Sequence, residues 1–132
     1  MEQCHFQDTY PIYSKEFPKT HVAFQNVDEI CSYFCDQIEN HPFARYVSTF
    51  DHYEHTVGID EGLIDKAIMA AKVVLFCFGK KLTDPRVLSV RPRAIGICET
   101  DTHYVVSFLE APNPLLTEIL IKWVSDIKAV PA

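Results

Sequence analysis

The chain has 132 residues, 48% of them hydrophobic and 23% charged, with 12 Lys and Arg against 18 Asp and Glu for a net charge of −6. A chain of this size buries roughly two-thirds of its unfolded surface, so residues 1–132 are read as one globular domain needing no metal or disulfide to hold a core. Basic residues are scattered apart from Lys80-Lys81 and Arg91/Arg93, and polyanion binding needs clustered cations, which argues against nucleic acid and against an anionic membrane as partners.

The opening Met1-Glu2-Gln3-Cys4-His5 lacks the basic segment and long apolar run of a secretory leader, and no window approaches the ~18 uncharged apolar residues of a membrane span. The expected location is the cytoplasm, with residues 1–9 as a mobile N-terminal segment. Five cysteines are an odd number, and Cys31 and Cys35 sit on a helical apolar stripe. Reduced thiols fit better than a disulfide framework.

Tyr10 to Ala23 reads as two short extended segments around Phe17-Pro18, suited to edge strands or a hairpin. Asn26 followed three residues later by Glu29 is a helix cap, and Val27, Ile30, Cys31, Phe34, Cys35 and Ile38 then repeat with helical spacing to about Glu39. Asn40-His41-Pro42 ends that helix. Phe43 to Phe50 is aromatic and β-branched, as a strand would be. Asp60 to Ala71 carries acidic residues first and apolar ones at helical spacing afterwards, which predicts a second helix weakened by Gly62.

Val73 to Phe78 is apolar on both sides, which predicts a central strand covered on both faces or a strand at an interface. Asp84-Pro85 opens a short helix to about Val90, before Pro92. Ala94–Cys98 and Tyr104–Leu109 then form a hairpin through Thr100-Asp101-Thr102. Asn113-Pro114 repeats the cap-plus-proline signal, and Leu115, Leu116, Ile119, Leu120, Trp123, Val124 and Ile127 make an apolar stripe for a last helix lying on the sheet. Mixed helices and strands with an antiparallel hairpin predict an α+β layered domain, an antiparallel sheet packed against helices. With glycines only at 58, 62, 79 and 96, neither a P-loop nor a dinucleotide turn can be written, and no cofactor is implied.

The densest polar constellation is Asp51-His52-Tyr53-Glu54-His55, with His41 upstream. In an extended chain Asp51 and His55 share a face; in a helix Asp51, His52 and His55 converge. Imidazole and carboxylate are donors for zinc or another borderline metal, but the spacing is no recognised zinc pattern, so no metal set is assigned. The plainer reading is polar residues at a strand end bonded to backbone and water. Asp51, Glu54, Glu99 and Asp101 are general-acid or general-base candidates if they meet His52 or His103. Glu99, Asp101 and His103 flank a turn, where solvated charge is usual. Lys80-Lys81 follow Gly79 at a strand end, placed to receive an anionic ligand. The serines show no nucleophile-elbow pattern.

Phe50-Asp51-His52, Val73-Val74-Leu75-Phe76-Cys77-Phe78-Gly79, Leu88 to Glu99 and Tyr104 to Pro112 resemble the domain-of-unknown-function 302 family or a divergent uncharacterised relative of it, over roughly half the chain. The resemblance implies a small, often dimeric α+β domain with a TATA-box-binding-protein-like arrangement and no established reaction. It aligns Asp51-His52 with the family's Asp-His pair and Glu99 with its acidic strand end, while Lys80-Lys81 stand where that family has Asn-Pro.

The expected function is therefore a non-catalytic homodimer binding a small molecule between the sheet and the loops that carry His52 and Glu99, with Asp51, His55 and Lys80 as further contacts. The alternatives are an enzyme or metal-binding protein using His52 with Asp51 or Glu99, and a protein-interaction module offering an edge strand or the aromatic N-terminal segment.

Overall fold

An amphipathic helix and a half-apolar sheet each need a partner for their apolar side, and this chain joins them in two layers. The computed structural model describes residues 1–128, so the last four residues of the expected 1–132 domain lie outside the described residues. The strands are β1 (Glu2–Phe6), β2 (Tyr10–Pro18), β3 (Ala44–Asp51), β4 (Ala70–Phe78), β5 (Arg93–Glu99) and β6 (His103–Leu109). The helices are α1 (Val27–Glu39), α2 (His52–Val57) and α3 (Pro114–Ser125), with 3-10 turns at Lys19–His21 and Pro85–Val90. All described strands join one antiparallel sheet in the order β1-β2-β6-β5-β4-β3, making a single α+β domain.

The helices form where capping and apolar spacing agree. The Asn26 side chain accepts the backbone N–H of Glu29 at 3.0 Å, and α1 then buries Val27, Ile30, Cys31, Phe34 and Ile38. The Asn113 side chain accepts the N–H of Leu115, and α3 buries Leu116, Leu120, Trp123 and Val124. Both helices lie on one face of the sheet. The Trp123 ring is 6.1 Å from that of Phe76, and the Tyr33 hydroxyl of α1 donates to the Trp123 carbonyl of α3. Beneath them the strands alternate, burying Val74 and Phe76, Ile95 and Ile97, and Tyr104, Val106 and Phe108. No helix among the described residues is long and apolar enough to cross a membrane.

Three segments differ from expectation. Glu2–Phe6, expected within a mobile segment, is β1, paired with β2 from Glu2↔Ser14 to Phe6↔Tyr10. The helix expected over Asp60 to Ala71 is absent: those residues turn and then enter β4 at Ala70. A Cβ on Gly62 would stand 2.2 Å from the Thr56 carbonyl oxygen, so the chain doubles back tightly on α2. Glu61 takes φ +61°, and the Asp65 carboxylate accepts the N–H of Ala67, a local bond that competes with helix. The helix instead begins earlier, at His52, where Asp51 accepts the N–H of Glu54 at 2.9 Å. Finally, β4 is covered on one face only, with Val74, Phe76 and Phe78 buried and Val73, Leu75 and Cys77 half-buried.

Candidate functional site

Side chains of directly paired antiparallel residues lie on the same face, so the register sorts the candidates. Phe50 pairs with Val73, which puts Phe50 on the side of the sheet away from α1 and α3. Its ring lies 5.5 Å from that of His52 and 5.2 Å from that of His55, and the two imidazoles are 5.8 Å apart. His52 Nδ1 and the Thr56 hydroxyl are 3.1 Å apart, one turn along α2. His52, Tyr53 and Thr56 face Leu63, Ile64 and Ile68 across a cleft of about 140 Å³ floored by Ala71. This cleft closes one end of the outer face.

The carboxylates point the other way. Asp51 pairs with Lys72, beside the helices, where Lys72 Nζ lies 2.6 Å from Asp28 Oδ1 and 3.8 Å from Asp51 Oδ2. The hydrogen bond to Asp28, together with both carboxylate charges, holds the Lys72 ammonium above its ordinary pKa against the effect of burial. Glu99 is engaged by Lys19 Nζ at 2.7 Å, and that ammonium also sits 5.6 Å from the Tyr104 ring. Asp51 and Glu99, two of the acids sought for His52, thus each meet a lysine on the opposite face.

The remaining candidates, Lys80 and His41, lie with Phe43 and Phe78 at the other end of the sheet. Lys80 follows β4, roughly 25 Å along the strand from Lys72 at ~3.3 Å per residue, with its Nζ 4.5 Å from the Phe43 ring centroid. His41 accepts the Phe43 N–H at Nδ1 and lies 5.1 Å from the Phe78 ring. His52 and His55 therefore adjoin one another, Asp51 and Glu99 face the helices, and Lys80 and His41 stand apart. Among the described residues no three His, Cys, Asp or Glu side chains come close enough to hold a metal ion. Lys72, Lys19 and Asp28 were missed from the sequence. A lone charge in the apolar run Ala70–Phe78 was the available signal for Lys72.

The largest feature is the outer face itself. On β4, β5 and β6 it presents Val73 and Leu75, Ala94 and Gly96, and Val105 and Ser107, with no Lys, Arg, Asp or Glu. Charge begins at the flanking strands, with Glu16 on β2 opposite Val105 and Arg45 on β3 opposite Cys77. The centre is shallow, since a Cβ on Gly96 would meet nothing nearer than the Ser107 hydroxyl at 3.4 Å. Cys77 and Cys98 share this face half-exposed, and all five cysteines are unpaired.

These features define a small α+β protein with one sheet face packed under helices and the other apolar and bare. The chain belongs to a family of unknown function, DUF6858, whose model matches residues 1–129. That finding overturns the resemblance to the domain-of-unknown-function 302 family. The segments that carried it are an apolar strand and a hairpin, which many α+β domains need for packing alone, and Lys80-Lys81 already departed from that family's pattern. No curated protein and no solved structure matches the chain.

Proposed function

We propose that the protein is a non-catalytic homodimer in which two copies pack their bare sheet faces together and hold a small, largely apolar molecule at the end of the shared face. The observation that carries this reading is the uncharged surface of β4, β5 and β6, flanked by Glu16 and Arg45. An apolar centre with a polar rim is the anatomy of an interface. Three strands ~4.8 Å apart and about seven residues long make an apolar centre of about 330 Å², and the rim strands β2 and β3 bring the face to about 550 Å², at the small end of the roughly 600–800 Å² per partner of small to standard dimers. A second copy fits because sheets pack face to face about 10 Å apart, and the small residues of β5 leave room between Val73 and Leu75 on one side and Val105 on the other.

The His52 cleft adjoins this face. At about 140 Å³ it is smaller than the ~300–1,000 Å³ of ordinary ligand sites, and a second copy would wall its open side. Ile64, Ile68 and Ala71 then give apolar contact, and His52, Tyr53 and Asp65 the polar ones. The enzyme alternative has less support, because Asp51 and Glu99 are engaged by lysines across the sheet from His52. Five unpaired cysteines support a cytoplasmic location. The order β2, α1, four strands, α3, with the two long helices on one face, supports the TATA-box-binding-protein-like arrangement.

Sedimentation velocity at micromolar concentration tests the reading. A dimer is expected for the native chain. Leu75→Lys should give a folded monomer, since that side chain is only partly buried within one copy, with a melting temperature that no longer depends on protein concentration. A native chain that sediments as a monomer, or a Leu75→Lys variant that remains a dimer, rejects the paired faces.

A further inference from the structure

A second cleft, of about 130 Å³, lies on the helix side at the opposite end of the sheet. Its walls are Phe78 at the end of β4, Val87 and Val90 of the 3-10 turn, and Pro112 and Leu116 by the start of α3; its polar groups are Arg91, Arg93 and Asn113. Arg93 donates to the carbonyls of Val90, Leu109 and Glu110 at 3.2–3.3 Å. Arg91 donates to the Lys81 carbonyl at 2.7 Å. Neither arginine has a carboxylate within 4.0 Å among the described residues.

Two guanidinium groups sharing a partly apolar cleft without a counter-ion are unusual, because desolvating a cation is unfavourable unless it is paired. Burial accordingly depresses the Arg93 pKa from its ordinary value. The surroundings raise the positive potential further. Lys80 and Lys81 lie with Arg91 and Arg93 within 14 residues of a chain whose net charge is −6, while Arg86 and Asp84, the other charged residues of that stretch, pair with each other at 3.0 Å. Gly79 belongs to the same construction: it takes φ +114°, and a Cβ there would stand 3.1 Å from Arg91 Nη2, so the glycine leaves Arg91 its seat. The first N–H groups of α3 are already engaged by Asn113, so the donors to a ligand are the guanidinium groups.

We propose that this cleft binds the carboxylate of a short-chain organic acid, with Arg91 and Arg93 holding the oxygens and Phe78, Val87, Val90 and Leu116 covering the chain. The planar guanidinium fork matches a carboxylate in two parallel hydrogen bonds. The volume equals roughly four waters of liquid at ~30 Å³ each, enough for an acid of a few carbons. The apolar walls favour such an acid over free phosphate, whose oxygens would all need donors.

The test is a titration of the whole protein with sodium butyrate, followed by amide chemical shifts at fixed ionic strength, with butyramide and inorganic phosphate in parallel. Saturable binding of butyrate with a millimolar Kd is expected, centred on Phe78, Val87, Arg91 and Leu116 and absent with butyramide. Arg91→Gln should weaken it about tenfold or more, the scale of a charge-assisted pair. Val87→Trp, which fills the cleft and keeps both arginines, should abolish it, and Arg86→Gln, whose side chain is paired to Asp84, should leave it unchanged. Arg93 braces three carbonyls and is left intact. Shifts that never saturate, an equal loss in Arg86→Gln, undiminished binding in Val87→Trp, or tighter binding of phosphate than of butyrate would each overturn the proposal.

Discussion

The two faces of the sheet are built from the same strands and meet different fates. Beneath α1 and α3, Val74, Phe76, Ile95 and Val106 are fully buried; on the reverse side their neighbours Val73, Leu75, Gly96 and Val105 are only partly buried. The difference comes from supply. Two long amphipathic helices cover one face, and the only other described helix, the six-residue α2, reaches just one end of the other. An antiparallel sheet with one solvated face normally alternates apolar and polar residues, yet β4 is apolar at both phases. Strand composition therefore reports what a face is built to meet, and the covering layer need not come from the same chain.

The largest effects should separate the faces. Phe76 has 0% of its surface exposed, and its truncation to Ala should cost about 3–5 kcal/mol. Leu75→Ala, one residue along the same strand, should cost about 1 kcal/mol within a single copy, because a half-exposed side chain removes less area from water. Urea titrations at two protein concentrations check both. A midpoint that rises with concentration for the native chain but not for Leu75→Lys would tie the outer face to association, and equal losses for Phe76→Ala and Leu75→Ala would erase the distinction between the faces.

The elements legible in the sequence were those whose local and tertiary preferences agree. Asn26 with Glu29 three residues on, and Asn113 with Pro114, each announced a helix whose apolar stripe is buried in the structure. The same cap stands at Asp51 and Glu54, where the sequence leaves extended and helical readings open because no apolar stripe follows to decide between them. Helical spacing at Leu63, Ile64, Ala67 and Ile68 predicts a helix, but backbone contacts at Gly62 and the Asp65 side-chain bond hold turns there instead. β1 was hidden because the alternation of Glu2–Phe6 is weak and its stability comes from pairing with β2. Residue type alone does not assign a side chain to a face, and only the register shows that Asp51 and His52, adjacent in sequence, serve opposite faces.

Alkaline pH should probe the covered side next. Burial pushes the Cys31 thiol up to about 11 from its ordinary 9.0, with the Lys72 charge opposing it. Burial likewise raises the Tyr33 and Tyr104 hydroxyls, and the hydrogen bond to Asp28 raises Lys72. For each group the native state keeps a proton that the unfolded chain releases, so their stabilisation is complete below the unfolded value and is lost as pH rises through the folded one. Unfolding free energy should fall between about pH 9 and 11, and Cys31→Ala should make that fall shallower at its onset. Thiol labelling at neutral pH gives a second readout. Cys4 should react at once and Cys31 only as fast as the protein opens, since its thiolate is scarce and its sulfur buried. Cys77 and Cys98 should react freely in a Leu75→Lys monomer and slowly in the native chain if the faces are paired.

The smallest expected effect sharpens the comparison furthest. Asn26 and Asp51 perform the same local task, each accepting the N–H of the residue three positions on, at 3.0 and 2.9 Å. Removing either side chain should cost the helix about 1 kcal/mol. What differs is the layer each helix belongs to. α1 covers β3, β4 and β5 and carries Ile30, Phe34 and Ile38 into the core, so Asn26→Ala should lower global stability by about that amount. α2 buries none of its residues, so Asp51→Ala should leave global unfolding within about 0.5 kcal/mol of native while amide exchange from Glu54 to Gly58 speeds up severalfold. The loss would then be local to the wall of the His52 cleft, and any ligand held there should weaken without a change in melting temperature. If Asp51→Ala lowers global stability as much as Asn26→Ala does, α2 is part of the structural layer and the outer face is less bare than its register implies.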